Sequence, residues 1–195
     1  MIRALLISIS LLIGLQAMPQ KPESLPRQVI KYLKKHTNSD ELLWEKVRID
    51  SASNVSGAYY SITSPEKNTL PLFLYTGKVN SCRSGGCSPS VNKSDENAIY
   101  EHFTYLIVFD HTASIRLVKV TEYNASHGAA ITAGWWLKQF KGYKAQDSLR
   151  LGKEIDAVSG ASISADAILK DIQKRTKNLH HFLKKYPSIK PDSAG

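Results

Sequence analysis

The chain has 195 residues, 42% of them hydrophobic, which suits one domain, or at most one and a half, with a core of ordinary size. Lys and Arg number 26 against 17 Asp and Glu, a formal net charge of +9, a balance that attracts nucleic acid, anionic lipid or an acidic partner. The basic residues are scattered, densest over Lys31–Lys35 and Lys170–Lys185, and no nucleic-acid-binding motif accompanies them, which sets nucleic acid aside as a partner.

Arg3 precedes an apolar run from Ala4 to Leu15, broken only by Ser8, Ser10 and Gly14, and Gln16-Ala17 leads into the polar "MPQKPESLP". A basic start, a short apolar stretch and a small residue read as a secretory signal peptide over residues 1–17, cleaved after Ala17, with an uncleaved anchor or a buried strand as the alternatives. The run falls short of the roughly 20 residues that a spanning helix needs. No cysteine follows it to carry a lipid anchor. The expected location is therefore beyond the inner membrane, in the periplasm or on the outer face of the cytoplasmic membrane. Residues 18–27, with Pro19, Pro22 and Pro26, read as a linker.

"RQVIKYLKKH" places Val29, Ile30 and Leu33 on one helical face. "SDELLWEKV" opens on a capping residue and acids and reads as a second short helix. "SGAYYSITS" and "PLFLYTGKVNS" read as strands. "NSCRSGGCS" brings Cys82 and Cys87 close, with a glycine pair between them to turn the chain. Outside the cytosol a disulfide between them would persist. So small a loop contributes on the order of 2 kcal/mol, which leaves both a structural bridge and a redox dithiol open. With no histidine pair nearby, the cysteines make a poor metal site, and no metal is expected.

"YEHFTYLIVFD" and "SIRLVKVTEY" flank "HTA" as a hairpin, with Phe103, Tyr105, Ile107 and Phe109 alternating on the first strand. "NASHGAAITAG" is a small-residue loop, "WWLKQFKGY" a short aromatic helix ending at Gly142, and "AQDSLRLGKEIDAVSG" irregular chain. From Ser164 to Tyr186 runs the longest helix, with Ile168, Leu169, Ile172, Leu179, Phe182 and Leu183 as its apolar stripe, stopped by Pro187. The order predicts an α+β fold over residues 28–187, an antiparallel sheet packed with helices, and a polar tail at 188–195.

At the mouth of that last helix stands "DAVSGAS", Asp156 to Ser162, with Ser164 just beyond. The first turn of a helix has backbone N–H groups without partners, and small residues such as Gly160 let the chain approach a ligand closely. The stretch can therefore receive a phosphate, or Ser162 or Ser164 can simply cap the helix. The field of a helix end, about 0.3–1 kcal/mol, does not retain a cofactor outside the cell.

The stretch resembles the flavinylation motif of the FMN-binding domain family, which includes the NqrC and RnfG subunits of bacterial ion-pumping redox complexes. That motif runs Asp, two variable residues, Ser or Thr, Gly, Ala, then Thr or Ser, and Asp156, Ser159, Gly160, Ala161 and Ser162 stand at those places. "YNASHGAAITAGWWLKQFKG" is similar to the family's upstream segment, with Trp136, Gln139, Phe140 and Gly142 in the "W-x-x-Q-F-x-G" positions; Ser126, His127 and Gly128 replace its more usual acidic and proline residues. The likeness covers roughly residues 72–172.

The resemblance implies an FMN-binding domain-like fold and FMN attached by a phosphoester bond to Ser162 through an ApbE-type flavin transferase. It further implies an electron-transfer module rather than a stand-alone catalyst, placed between a membrane-bound donor and an extracytoplasmic acceptor. Ser159, Gly160, Ala161 and Ser164 would frame the phosphate. Asp156 would serve transferase recognition or hold the turn, His127 and Gly128 would lie near the flavin, and Trp136 would border the ring or belong to the core. Two other readings stand beside it: a thiol-disulfide redox protein using Cys82 and Cys87, and a flavin-free binding module of the same fold.

The export reading has a direct check. The N-terminus of protein isolated from its native compartment is expected near Met18, and recovery of the full chain in soluble form from the cytosol would overturn it.

Overall fold

The computed structural model describes residues 21–22, 25–49, 57–65, 70–83 and 100–187. The expected signal peptide and polar tail, and Cys87, lie outside the described residues; of Cys82 only the backbone is described. Five strands, β1 (Leu43–Val47), β2 (Gly57–Thr63), β3 (Leu72–Arg83), β4 (Tyr100–Phe109) and β5 (Ile115–Tyr123), form one antiparallel sheet in the order β1-β2-β3-β4-β5. Three helices accompany it: α1 (Arg27–Thr37), the single turn α2 (Gly134–Leu137), which continues as a 3-10 turn through Phe140, and α3 (Ser162–Lys185). The chain is an α+β domain with a mixed antiparallel-sheet and helix core.

The sheet is covered on both faces. Phe103, Tyr105, Ile107 and Phe109 of β4 share one buried cluster with Ile168, Ile172, Leu179 and Leu183 of α3. Leu106 and Val108 point the other way, into a second cluster with Val29 and Leu33 of α1. A strand buried on both faces reads as an unbroken apolar run rather than an alternation, which accounts for "YLIVF" in β4. Each fully buried Leu or Ile side chain contributes about 2 kcal/mol of transfer free energy. The β4–β5 turn is held by Asp110, whose carboxylate accepts from the Thr112 and Ser114 N–H groups and the Thr112 hydroxyl.

One expected element is corrected. The stretch from Ser39 to Val47, read as a short helix, contains the edge strand β1, paired from Leu43↔Thr63 to Val47↔Tyr59. The capping signal at Ser39 is spent differently: its hydroxyl accepts the Glu41 N–H and donates to the Glu41 carbonyl, closing a turn instead of opening a helix. A short isolated helix gains little against its nucleation cost, whereas the strand buries Trp44 beside α1. The last helix also begins at Ser162 rather than Ser164, so both serines lie in its first turn.

α3 is fastened to the sheet by a polar cluster inside the apolar layer. Arg175 Nη2 lies 2.8 Å from Asp171 Oδ1, one helical turn away, with the two side chains 6% and 15% exposed. Tyr105 donates its hydroxyl to Asp171 Oδ2 at 2.7 Å, and Tyr59 donates to the Arg175 carbonyl at 3.0 Å. The Arg175 guanidinium also lies 4.8 Å from the centre of the Tyr75 ring. Burial, followed by the Asp171 charge, pushes the Tyr105 hydroxyl well above its ordinary value, so it stays a donor to the carboxylate at any physiological pH.

Removing one partner of a largely desolvated ion pair leaves the other uncompensated. Arg175→Met is therefore expected to destabilise the fold by about 3 kcal/mol in urea unfolding. Adding Asp171→Asn to that variant is expected to restore part of the loss.

Candidate functional site

Ala161 is the N-cap of α3, at φ −129° and ψ 12°, and it has no side chain that can accept a hydrogen bond. The first carbonyl to enter the helix ladder is its own, which accepts from Ala165. The N–H groups of Ser162, Ile163 and Ser164 are therefore left without intrahelical acceptors, and neither serine caps the helix. Gly160 precedes the cap at φ +71°, with no heavy atom within 4 Å of where a Cβ would stand. Ser162 and Ile163 are exposed.

Positions two apart on an α-helix point about 200° apart around its axis, and the two serines show it. Ser162 is exposed, and its hydroxyl has no protein partner among the described residues, whereas Ser164 is 1% exposed. Ser164 Oγ lies 2.6 Å from Ser81 Oγ at the far end of β3 and 3.0 Å from the Tyr123 hydroxyl at the end of β5. The Tyr123 hydroxyl in turn donates to the His127 carbonyl. A carbonyl can only accept, so the direction of every proton follows: Ser81 donates to Ser164, Ser164 to Tyr123, and Tyr123 to His127.

This chain of hydroxyls draws the loop after β5 against the helix start. The approach is close enough to demand glycine at 128. A Cβ there would stand 2.6 Å from Ser164 Oγ and 2.9 Å from the Tyr123 hydroxyl, and φ is +88°. On the other side of the loop, the Glu101 carboxylate accepts both the N–H and the hydroxyl of Ser126. Those two bonds hold the Glu101 carboxyl below its usual pKa.

The loop and the helix start together enclose an open depression of about 410 Å³, lined by His127, Gly128 and the run Gly160 to Ser164. Two segments more than thirty residues apart in sequence thus meet at one place. Asp156 and Ser159 are exposed and do not line it. Trp136 does not line it either. It is fully buried, packed edge-on against Phe140 with ring centres 5.2 Å apart. Its indole N–H donates to the Asp156 carbonyl at 2.8 Å, and Gln139 Oε1 accepts the Asp156 N–H at 2.9 Å. Trp136 and Gln139 therefore clamp the backbone on which the small-residue turn begins. Just before it, Ile155 is buried in the core. Gly142 adopts φ +89° and donates its N–H to the Ile115 carbonyl at 2.7 Å, tying the same segment to β5.

Ser81, Tyr123 and Glu101 belong to the site although no sequence motif marks them. The pairing of Cys82 with Cys87 lies outside the described residues. Among the described residues, no group of three or more His, Cys, Asp or Glu side chains is placed to share a metal. No protein-family model, curated protein or solved structure matches the chain.

Chemically, the site offers an outward primary alcohol, three N–H groups without intrahelical acceptors at the positive end of a long helix, and no carboxylate among its described lining residues. That combination accepts an anionic group and exposes an oxygen to which it can be joined. Gly128→Ala is expected to push the loop off Ser164 and to destabilise the protein by about 1–3 kcal/mol, measured by chemical denaturation. Gly160→Ala meets no neighbouring atom, and its cost is expected to stay near 1 kcal/mol, from the left-handed backbone alone.

Proposed function

We propose that the protein is an exported electron-transfer flavoprotein of the FMN-binding domain type, carrying FMN joined through its phosphate to Ser162 Oγ. The observation that carries this reading is the division between the two hydroxyls of the motif. Ser164 is buried and spent on Ser81 and Tyr123, and Ser162 is turned outward at an uncapped helix start. The clamp of Trp136 and Gln139 on Asp156 adds support, because it joins the two segments whose likeness to the family suggested the function.

The residues present suit the group. The N–H groups of Ser162, Ile163 and Ser164 would hold the phosphate at the positive end of α3. Gly160, without a side chain, leaves room beside it, and the exposed Ile163 offers apolar surface. His127 stands on the rim, where its imidazole would hydrogen-bond a bound ring or tune it electrostatically. When bound, the flavin supplies the redox chemistry, and the protein supplies the tether, the electrostatics and the docking surface.

Attachment by an ApbE-type transferase would use FAD. The Ser162 oxygen forms a bond to the FMN phosphorus, the bond from that phosphorus to the bridging oxygen breaks, AMP departs, and the serine proton is released. A phosphodiester also explains retention, since a protein beyond the inner membrane cannot recapture a cofactor that diffuses away. The electron donor would be membrane-bound and the acceptor extracytoplasmic.

Coexpression with such a transferase, with FAD and magnesium supplied, is expected to add the mass of one FMN less one water and to give flavin absorption in the denatured protein. Ser162→Ala is expected to abolish both, and Ser164→Ala to keep the modified residue at Ser162. An adduct that persists in Ser162→Ala would overturn the assignment.

A further inference from the structure

A larger depression than the one beside Ser162 lies elsewhere on the molecule. About 620 Å³ in volume, it runs along α1 and is lined by Arg27, Lys31, Lys34 and Lys35, with Ile30 on its floor and Asp40 as the one carboxylate. α1 itself contains no acidic residue. Lys34 lies 3.4 Å from Asp40, and Arg27, Lys31 and Lys35 have no ion-pair partner among the described residues. On the other flank of α1, between it, β5 and α2, a second groove of about 310 Å³ has the half-buried Tyr32 and Leu117 as its apolar floor and Arg116, Lys119, Lys138 and Lys141 around it. Lys119 is tied to α1 through Gln28 at 3.0 Å.

Two neighbouring depressions therefore carry four cations each, over floors that are partly apolar. The helix between them cannot roll to hide this charge, because Val29 and Leu33 are wholly buried against the sheet. We propose that this face binds the anionic headgroups of a phospholipid bilayer, with lipid phosphates among the cations of α1 and glycerol or acyl carbons against the apolar floor of the flanking groove.

A cationic helix face with apolar surface at its base is the chemistry of an interfacial contact. On the export reading, on which this argument rests, α1 is the first described helix after the apolar run from Ala4 to Leu15 and lies nearest in sequence to the membrane that the chain would leave. The inference is independent of the flavin. It has a geometric consequence: α1 and α3 cover opposite faces of the sheet, so a chain lying on its α1 face turns Ser162 away from the bilayer.

The test uses the chain from Met18 onward, the expected mature form, with vesicles of phosphatidylcholine alone and of phosphatidylcholine with about 30% phosphatidylglycerol, read by sedimentation. Partitioning is expected to be at least about tenfold stronger on the anionic vesicles. It is expected to lose that preference at about 0.5 M salt. Replacing Arg27, Lys31, Lys34 and Lys35 by Gln is expected to abolish the preference, while Lys177→Gln with Lys184→Gln on α3 keeps it. Equal binding to both vesicle types, or binding to neither, would overturn the proposal, because the cations of α1 would then contribute nothing. An equal loss in the α3 variant would also overturn it, by reducing the effect to net charge. Binding to polyglutamate in preference to anionic vesicles would overturn it in favour of an acidic protein. If the fourfold variant fails to fold, Lys31→Gln with Lys35→Gln, both exposed, is expected to weaken the preference, and a loss no larger than that of the α3 variant would overturn the proposal.

Discussion

The Ser162 end of the molecule depends on how closely the loop after β5 can approach the first turn of α3, and Gly128 sets that distance. With any side chain at 128, the Ser164 and Tyr123 hydroxyls would be pushed apart, and the depression beside Ser162 would lose one of its walls. The requirement is doubled by the backbone, since φ of +88° is a conformation that other residues adopt only with strain. Glu101 adds a second restraint by gripping Ser126 from β4. The loop is thus held from the helix on one side and from the sheet on the other.

A second constraint acts behind the site. The small-residue turn from Val158 to Ala161 has few side chains with which to fix its own position, so neighbouring elements fix it. Ile155 is sunk in the core just upstream, and the Asp156 peptide is bound on both its N–H and C=O sides by Gln139 and Trp136. Trp136, whose sequence position suits a ring neighbour or the core, has its bulk in the core and only its N–H directed at the motif. A bare turn can stay bare because a buried indole does the holding.

What could be read in the chain, and what could not, follows from the range of the interactions. The strands β2 to β5 and the helix α3 announce themselves through local periodicity, and the motif turn through its run of small residues. β1 was misread because Ser39 followed by acids is a local helix-start signal, while the pairing that overrides it comes from residues 59–63. The roles of Ser81 and Tyr123 arise only from sheet register, which carries the ends of β3 and β5 to one spot beside a helix more than forty residues further on. In the same way, Asp171 and Arg175 have the spacing of an ordinary surface pair on a helix. Only the fold reveals that three tyrosines close over them.

α3 is attached to the sheet at two separated points, the hydroxyl chain at Ser164 and the hydrogen bond from Tyr105 to Asp171, about 10 Å apart along its axis at 1.5 Å per residue. A rod pinned twice along its length cannot spin. Its rotational setting decides which of two chemically equal alcohols faces solvent, for a turn of half a revolution would exchange them. Selection between Ser162 and Ser164 is therefore not made by any feature of either serine. It is made by the angle at which a long helix has been locked, in part by a tyrosine of the sheet bound to Asp171 two turns away.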